Sequence, residues 1–156
     1  MNARTELTAD ALADCSYSLA EEYAAEFLRS AEGGGPESAI RVPWLPFAQH
    51  RVALTFGLHA GVPGAGAPHD EVRFHWSSGT SMLPDFRGTI HFRGEDGKTR
   101  VLVEGGYNAP LGVAGGVFDR LAGRRMAHAS LAELAGRIAG YLSARQRDWR
   151  AAHPKV

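Results

Sequence analysis

Three features of the sequence predict an α+β fold, in which an antiparallel sheet with one apolar face curves around a long C-terminal helix. Between residues 39 and 107 apolar and polar side chains alternate with a period of two, the mark of strands with one buried face. Asp96-Gly97 separates two such runs, and these residue types supply the positive φ that a two-residue hairpin needs. After Pro110 the period lengthens to that of a helix and stays there until about Asp148. The pattern encodes no parallel crossover, which sets it apart from the alternating α/β class.

In chain order, residues 12 to 17 are a candidate for a short first strand with poor alternation. Ser18-Leu19-Ala20-Glu21 fits a capping box, in which the hydroxyl takes an amide at the helix start and the carboxylate reaches back. The helix it predicts runs from about 19 to 31. Leu19, Tyr23, Phe27 and Leu28 share one stripe, Glu22, Glu26 and Arg29 fall elsewhere, and Gly33-Gly34-Gly35-Pro36 stops it.

Four alternating runs follow. Arg51 to His59 sets Val52, Leu54, Phe56 and Leu58 against Arg51, Thr55 and His59. Glu71 to Ser77 sets Val72, Phe74 and Trp76 against Glu71, Arg73 and His75. Phe86 to Arg93 sets Phe86, Ile90 and Phe92 against Arg87, Thr89, His91 and Arg93. Thr99 to Tyr107 sets Val101, Val103 and Tyr107 against Arg100 and Glu104, with Leu102 out of step. Gly61 to Pro68 and Ser77 to Pro84 read as the loops of a meander, and Asp96-Gly97 makes the last two strands antiparallel neighbours.

In the C-terminal segment Leu121, Leu131, Leu134, Ile138, Tyr141 and Leu142 lie close to one stripe, with Glu133, Arg137 and Arg145 away from it. A continuous helix from 114 to 148 would be about 50 Å long, and strands of seven to nine residues span about 30 Å or less. A break is therefore expected, at Gly123 or at a second capping-box tetrapeptide, Ser130-Leu131-Ala132-Glu133, which reads equally well as mid-helix sequence. Arg150 to Val156 is expected to fray.

Composition narrows the function. The 156 residues, 44% of them hydrophobic, suit one domain over 1–156 with its core at about 12–148. Cys15 is the single cysteine, so no intrachain disulfide or multi-cysteine zinc site can form, and a reduced, cytoplasmic setting is expected. Seventeen basic residues balance seventeen acidic ones, which gives no field to hold nucleic acid. The N-terminal residues show no secretory signal, and no apolar run approaches the ~20 residues of a membrane span. Nineteen glycines and eight prolines separate the periodic segments by their placement and act as punctuation.

The run Val103-Glu104-Gly105-Gly106-Tyr107-Asn108-Ala109-Pro110-Leu111-Gly112, followed by Gly115, Asp119-Arg120-Leu121 and Arg125-Met126-Ala127, resembles members of the START-like superfamily. This is the SRPBCC or helix-grip group, which includes polyketide cyclases, lipid-transfer domains and the major pollen allergens. Val72 to Trp76 and Leu83-Pro84-Asp85-Phe86 fit the same pattern, and the likeness extends over about residues 12 to 145. It implies a curved sheet wrapped around a C-terminal helix and a hydrophobic cavity for lipids, polyketides, hormones or other apolar molecules. This chain departs from the pattern in having Ala109-Pro110 where a tandem proline is expected, and in a short segment after the first helix.

The expected ligand is a small apolar molecule held between sheet and helix. Its candidate lining is Phe56, Phe74, Trp76, Phe86, Ile90 and Phe92, with Val103, Tyr107, Leu121 and Arg124. The aromatic residues either line a cavity or pack a core, which the pattern does not separate. Tyr107 either presents its hydroxyl to a ligand or serves an elbow built from Gly105, Gly106 and Pro110. Arg124 lies near the backward extension of the Leu131 and Ile138 stripe. It either meets a buried acceptor or reaches water past its own stem.

No cofactor is expected. Gly112 to Gly116 opens a helix after a strand but lacks the βαβ unit and the Lys-Ser/Thr of a phosphate loop. His75 and His91 sit on polar strand faces without metal-ligand spacing, and Ser78 to Ser81 and Cys15 carry no nucleophile signature. Two other functions remain at this point. One is a cyclase, aromatase or dehydratase working in the same cavity, implied by the resemblance and requiring a proton donor and acceptor inside. The other is an oligomerising or protein-binding module, such as a homodimer.

Overall fold

The computed structural model describes residues 5–32, 54–55, 71–76, 86–107 and 124–154. These form β1 (Thr5–Ala13), α1 (Tyr17–Glu32), β2 (Leu54–Thr55), β3 (Glu71–Trp76), β4 (Phe86–Glu95), β5 (Lys98–Tyr107) and α2 (Arg124–Ala152). The strands make one open, antiparallel sheet in the order β1-β5-β4-β3-β2, and the architecture is α+β with a long C-terminal helix. The described residues contain no helix long and apolar enough to cross a membrane.

The first strand lies upstream of its expected position at 12 to 17. Leu7, Ala9 and Ala13 point inward, with Glu6, Thr8, Asp10 and Leu12 exposed opposite them. The strand pairs with β5 over its whole length, from Thr5 opposite Tyr107 to Ala13 opposite Thr99. Alternation is present there, but small alanines carry it, and a long partner strand rather than intrinsic propensity makes it extended.

Helix α1 begins at Tyr17, so the capping box expected at Ser18 is displaced. The Ser16 carbonyl accepts the Leu19 N–H at 3.1 Å, and Ser18 is already helical. Ala20, Tyr23, Ala24 and Phe27 bury one face of the helix, and Leu19 packs at its margin.

Strands β3, β4 and β5 keep the expected alternation wherever their side chains are described. Phe74, Phe86, Ile90, Phe92, Val101, Val103 and Tyr107 are buried, while Arg73, Arg87 and Arg93 are exposed. Asp96 and Gly97 connect β4 to β5 with φ of 50° and 76°, the doubly positive turn that matches the right-handed twist of a hairpin. Of the run from 51 to 59 only Leu54 and Thr55 are described, paired with Trp76 and His75. Val52, Phe56, Leu58 and the loops at 61–68 and 77–84 lie outside the described residues.

Helix α2 is a single 29-residue element about 43 Å long, with no break at Ser130. Ser130 and Leu131 are buried within it, and Glu133 pairs at 3.2 Å with Arg137 one turn on, not with a helix start. Its inward stripe is Ala127, Leu131, Leu134, Ala135, Ile138, Ala139 and Leu142. α2 packs on β1 and β5, and α1 packs on β2, β4 and β5 and against α2. Both elements bury alanines, Ala9 and Ala13 from β1 and Ala127, Ala135 and Ala139 from α2, and such small side chains suit a close approach between helix and edge strand.

The helix also outlasts its expected end. Residues 150 to 152 are helical, with Arg150 reaching Asp14 at 3.4 Å and the Trp149 ring stacked on His153 at 4.7 Å. The two helices are joined where Arg145 donates to Glu26 at 3.0 Å and lies 5.3 Å over the Tyr23 ring. Phe27 and Tyr141 meet beside them at 5.4 Å.

Candidate functional site

The inner face of the sheet is the candidate site, because strand parity puts six of the expected lining residues there together. Phe74 comes from β3, Phe86, Ile90 and Phe92 from β4, and Val103 and Tyr107 from β5. The register arranges them in rows. Trp76, Phe86 and Tyr107 form an aromatic row across three strands, Phe74 stands in line with Gly88 and Gly105, and Val72, Ile90 and Val103 form the next row.

Two glycines shape this end of the sheet. A Cβ on Gly88 would lie 2.8 Å from Phe86 Cε1 and 3.0 Å from Phe74 Cε1, so both rings occupy the space that its missing side chain leaves. The rings stack at 5.6 Å with 22° between their planes. Opposite Gly88, a Cβ on Gly105 would meet the Arg87 carbonyl and the Gly88 Cα, so here the backbones of β4 and β5 approach more closely than any side chain permits.

The six residues are buried throughout: Phe86, Ile90 and Val103 have no exposed surface, and Phe74, Phe92 and Tyr107 retain 3% each. Trp76 is placed by its backbone at the end of β3, while Phe56 and Leu121 lie outside the described residues. Arg124 does not join them. It is exposed in the first turn of α2, as are Arg125 and His128, and the inward position there belongs to Ala127. Arg124 keeps the helical phase of Leu131, seven residues on, but it is the first residue of α2, and the buried stripe begins one turn later at Ala127.

The opposite end of the sheet carries a polar clasp that the sequence did not disclose. The Asp14 N–H donates to Ser143 Oγ at 2.9 Å, and that hydroxyl donates to the Ala139 carbonyl at 2.8 Å. Ser16 donates to Gln146 Oε1 from both its N–H, at 3.0 Å, and its hydroxyl, at 3.2 Å. Thr99 donates to the Cys15 carbonyl at 2.8 Å. Gln146 is four residues past Leu142, a polar residue on an apolar stripe, and that phase was the available signal. Burial pushes the Cys15 thiol above its ordinary range; Arg150 opposes this shift and Asp14 adds to it. Burial likewise raises the Tyr23 hydroxyl, against the pull of Arg145.

The clasp fixes the direction of α2. Its C-terminal half lies where β1 ends and β5 begins, so its N-terminal half runs toward the end that holds the aromatic row.

Titratable groups gather on the outer face. His91 Nε2 lies 2.6 Å from Glu104 Oε1, and Arg100 bridges Glu95 at 2.6 Å and Asp10 at 2.5 Å, which lowers the Glu95 carboxyl. His75 is half-buried, and no group of three His, Cys, Asp or Glu side chains among the described residues could hold a metal. Inner positions of β1, β3, β4 and β5 carry no Asp, Glu or His. The Gly112 to Gly116 and Ser78 to Ser81 runs lie outside the described residues.

The class this defines is an α+β protein whose antiparallel sheet holds a long C-terminal helix. Among solved structures, the chain is similar to TTHA0849 from Thermus thermophilus, with 14% identity, 90% of this chain and 99% of that chain covered, and a TM-score of 0.54. The structure of DynU16, a protein in the dynemicin biosynthetic locus, matches at 14% identity over 90% of this chain, with a TM-score of 0.39; the match covers 48% of that chain. At such identities the first likeness speaks for the fold alone, and the second carries no argument. No family model matches the chain, and no curated protein matches it.

Proposed function

We propose that the chain is a START-like, helix-grip module whose single domain binds a small apolar molecule, lipid- or polyketide-like, between the sheet and α2 without carrying out chemistry on it. The observation behind this reading is the grouping of Phe74, Phe86 and Tyr107, with Trp76 in register, at one end of the inner face. α2 lies over β1 and β5, so the rings of β3 and β4 stand beside the long helix and not under its main contact. Because the described rings are buried, a ligand would displace protein from them, and apolar burial at about 25 cal/mol per Å² would supply the affinity. Binding is preferred to cyclase, aromatase or dehydratase chemistry because, among the described residues, the inner positions of β4 and β5 place no carboxylate or imidazole beside Tyr107. The same reading gives the module a cytoplasmic setting and allows a homodimer.

Native mass spectrometry of the protein as purified tests it. The expected result is a co-purifying apolar compound that is lost on denaturation. Resupplying such a compound at one hundred times its Kd should add about 2.7 kcal/mol of stability, or roughly 5–10 °C of melting temperature for a chain of this size. Bare chain in every preparation, with no thermal shift from long-chain fatty acids or fused-ring aromatic compounds, would overturn the proposal.

A further inference from the structure

We draw no further inference here: the strongest candidate, the stripe of small residues that Ala132, Gly136, Gly140 and Ala144 form along the outward face of α2, carries nothing because nothing in the structure shows what covers it.

Discussion

Replacing Gly105 by alanine tests how closely β4 and β5 approach. The added carbon would sit 2.5 Å from the Gly88 Cα and 3.0 Å from the Arg87 carbonyl carbon, with the Arg87 carbonyl oxygen nearer still. Non-bonded carbons rest about 3.5–4.0 Å apart, so the methyl must gain about 1 Å. All three obstructing atoms are backbone, so no rotamer change relieves the contact, and the strands must separate locally. Overpacking of this kind costs about 1–3 kcal/mol, and each ladder hydrogen bond weakened alongside it adds about 1 kcal/mol. Reduced freedom of the unfolded chain returns about 0.4–1 kcal/mol. The net expectation is a loss of about 3 kcal/mol, or roughly 6–12 °C in melting temperature. Urea denaturation and calorimetry of the parent and Gly105→Ala proteins, compared at one pH, measure it. A variant within about 0.5 kcal/mol of the parent, the range of an ordinary surface change, would refute the argument.

Gly136→Ala should act in the opposite sense. Nothing lies within 4 Å of its Cβ position in the middle of α2, so helix propensity alone predicts a gain of about 0.5–1 kcal/mol in the same denaturation assay. Gln146→Leu leaves the Ser16 N–H without its acceptor, and a cost of about 1–3 kcal/mol should accompany faster hydrogen exchange at the start of α1; an unchanged exchange pattern would show the clasp to be dispensable. Folding raises both the Cys15 thiol from its ordinary 9.0 and the Tyr23 hydroxyl from 10.0. Groups raised in this way contribute stability that is complete below the unfolded value and lost as pH climbs through the folded one. Urea midpoints should therefore start to fall above about pH 9. Cys15→Ala should remove the earlier part of the fall and Tyr23→Phe the later, and a flat profile across this range would contradict both.

What the sequence disclosed depended on the range of the interaction responsible. Alternating Phe, Ile and Val fixed the buried face of β3, β4 and β5, and Asp96-Gly97 fixed their hairpin, because those signals lie within a few residues of what they determine. The inward face of β1 is alanine, with no local preference for an extended chain, and its strand character comes from β5 about ninety residues away. The cap of α1 moved to Ser16 because Gln146 reaches it from the far end of the chain, and α2 outran its expected end where Arg150 meets Asp14.

The candidate site divides the same way. Phe74, Phe86, Ile90, Phe92, Val103 and Tyr107 reached one face through strand parity, which tolerates no slip. Arg124 shares the phase of Leu131 and Ile138 yet is exposed as the first residue of α2, because phase gives the direction of a side chain and not how far along the helix its neighbours extend.

The order of the strands also governs how the chain must be born. Thr5 has no neighbour to pair with until Tyr107 has been synthesised, an interval of roughly 5–20 s at ribosomal speeds. Throughout that wait the opening segment leaves the ribosome as an unmatched ribbon, and α2, the element that seals it, is translated after every strand of the sheet. Fragments that stop short of residue 98 can contain everything upstream and still lack the template on which their first strand folds.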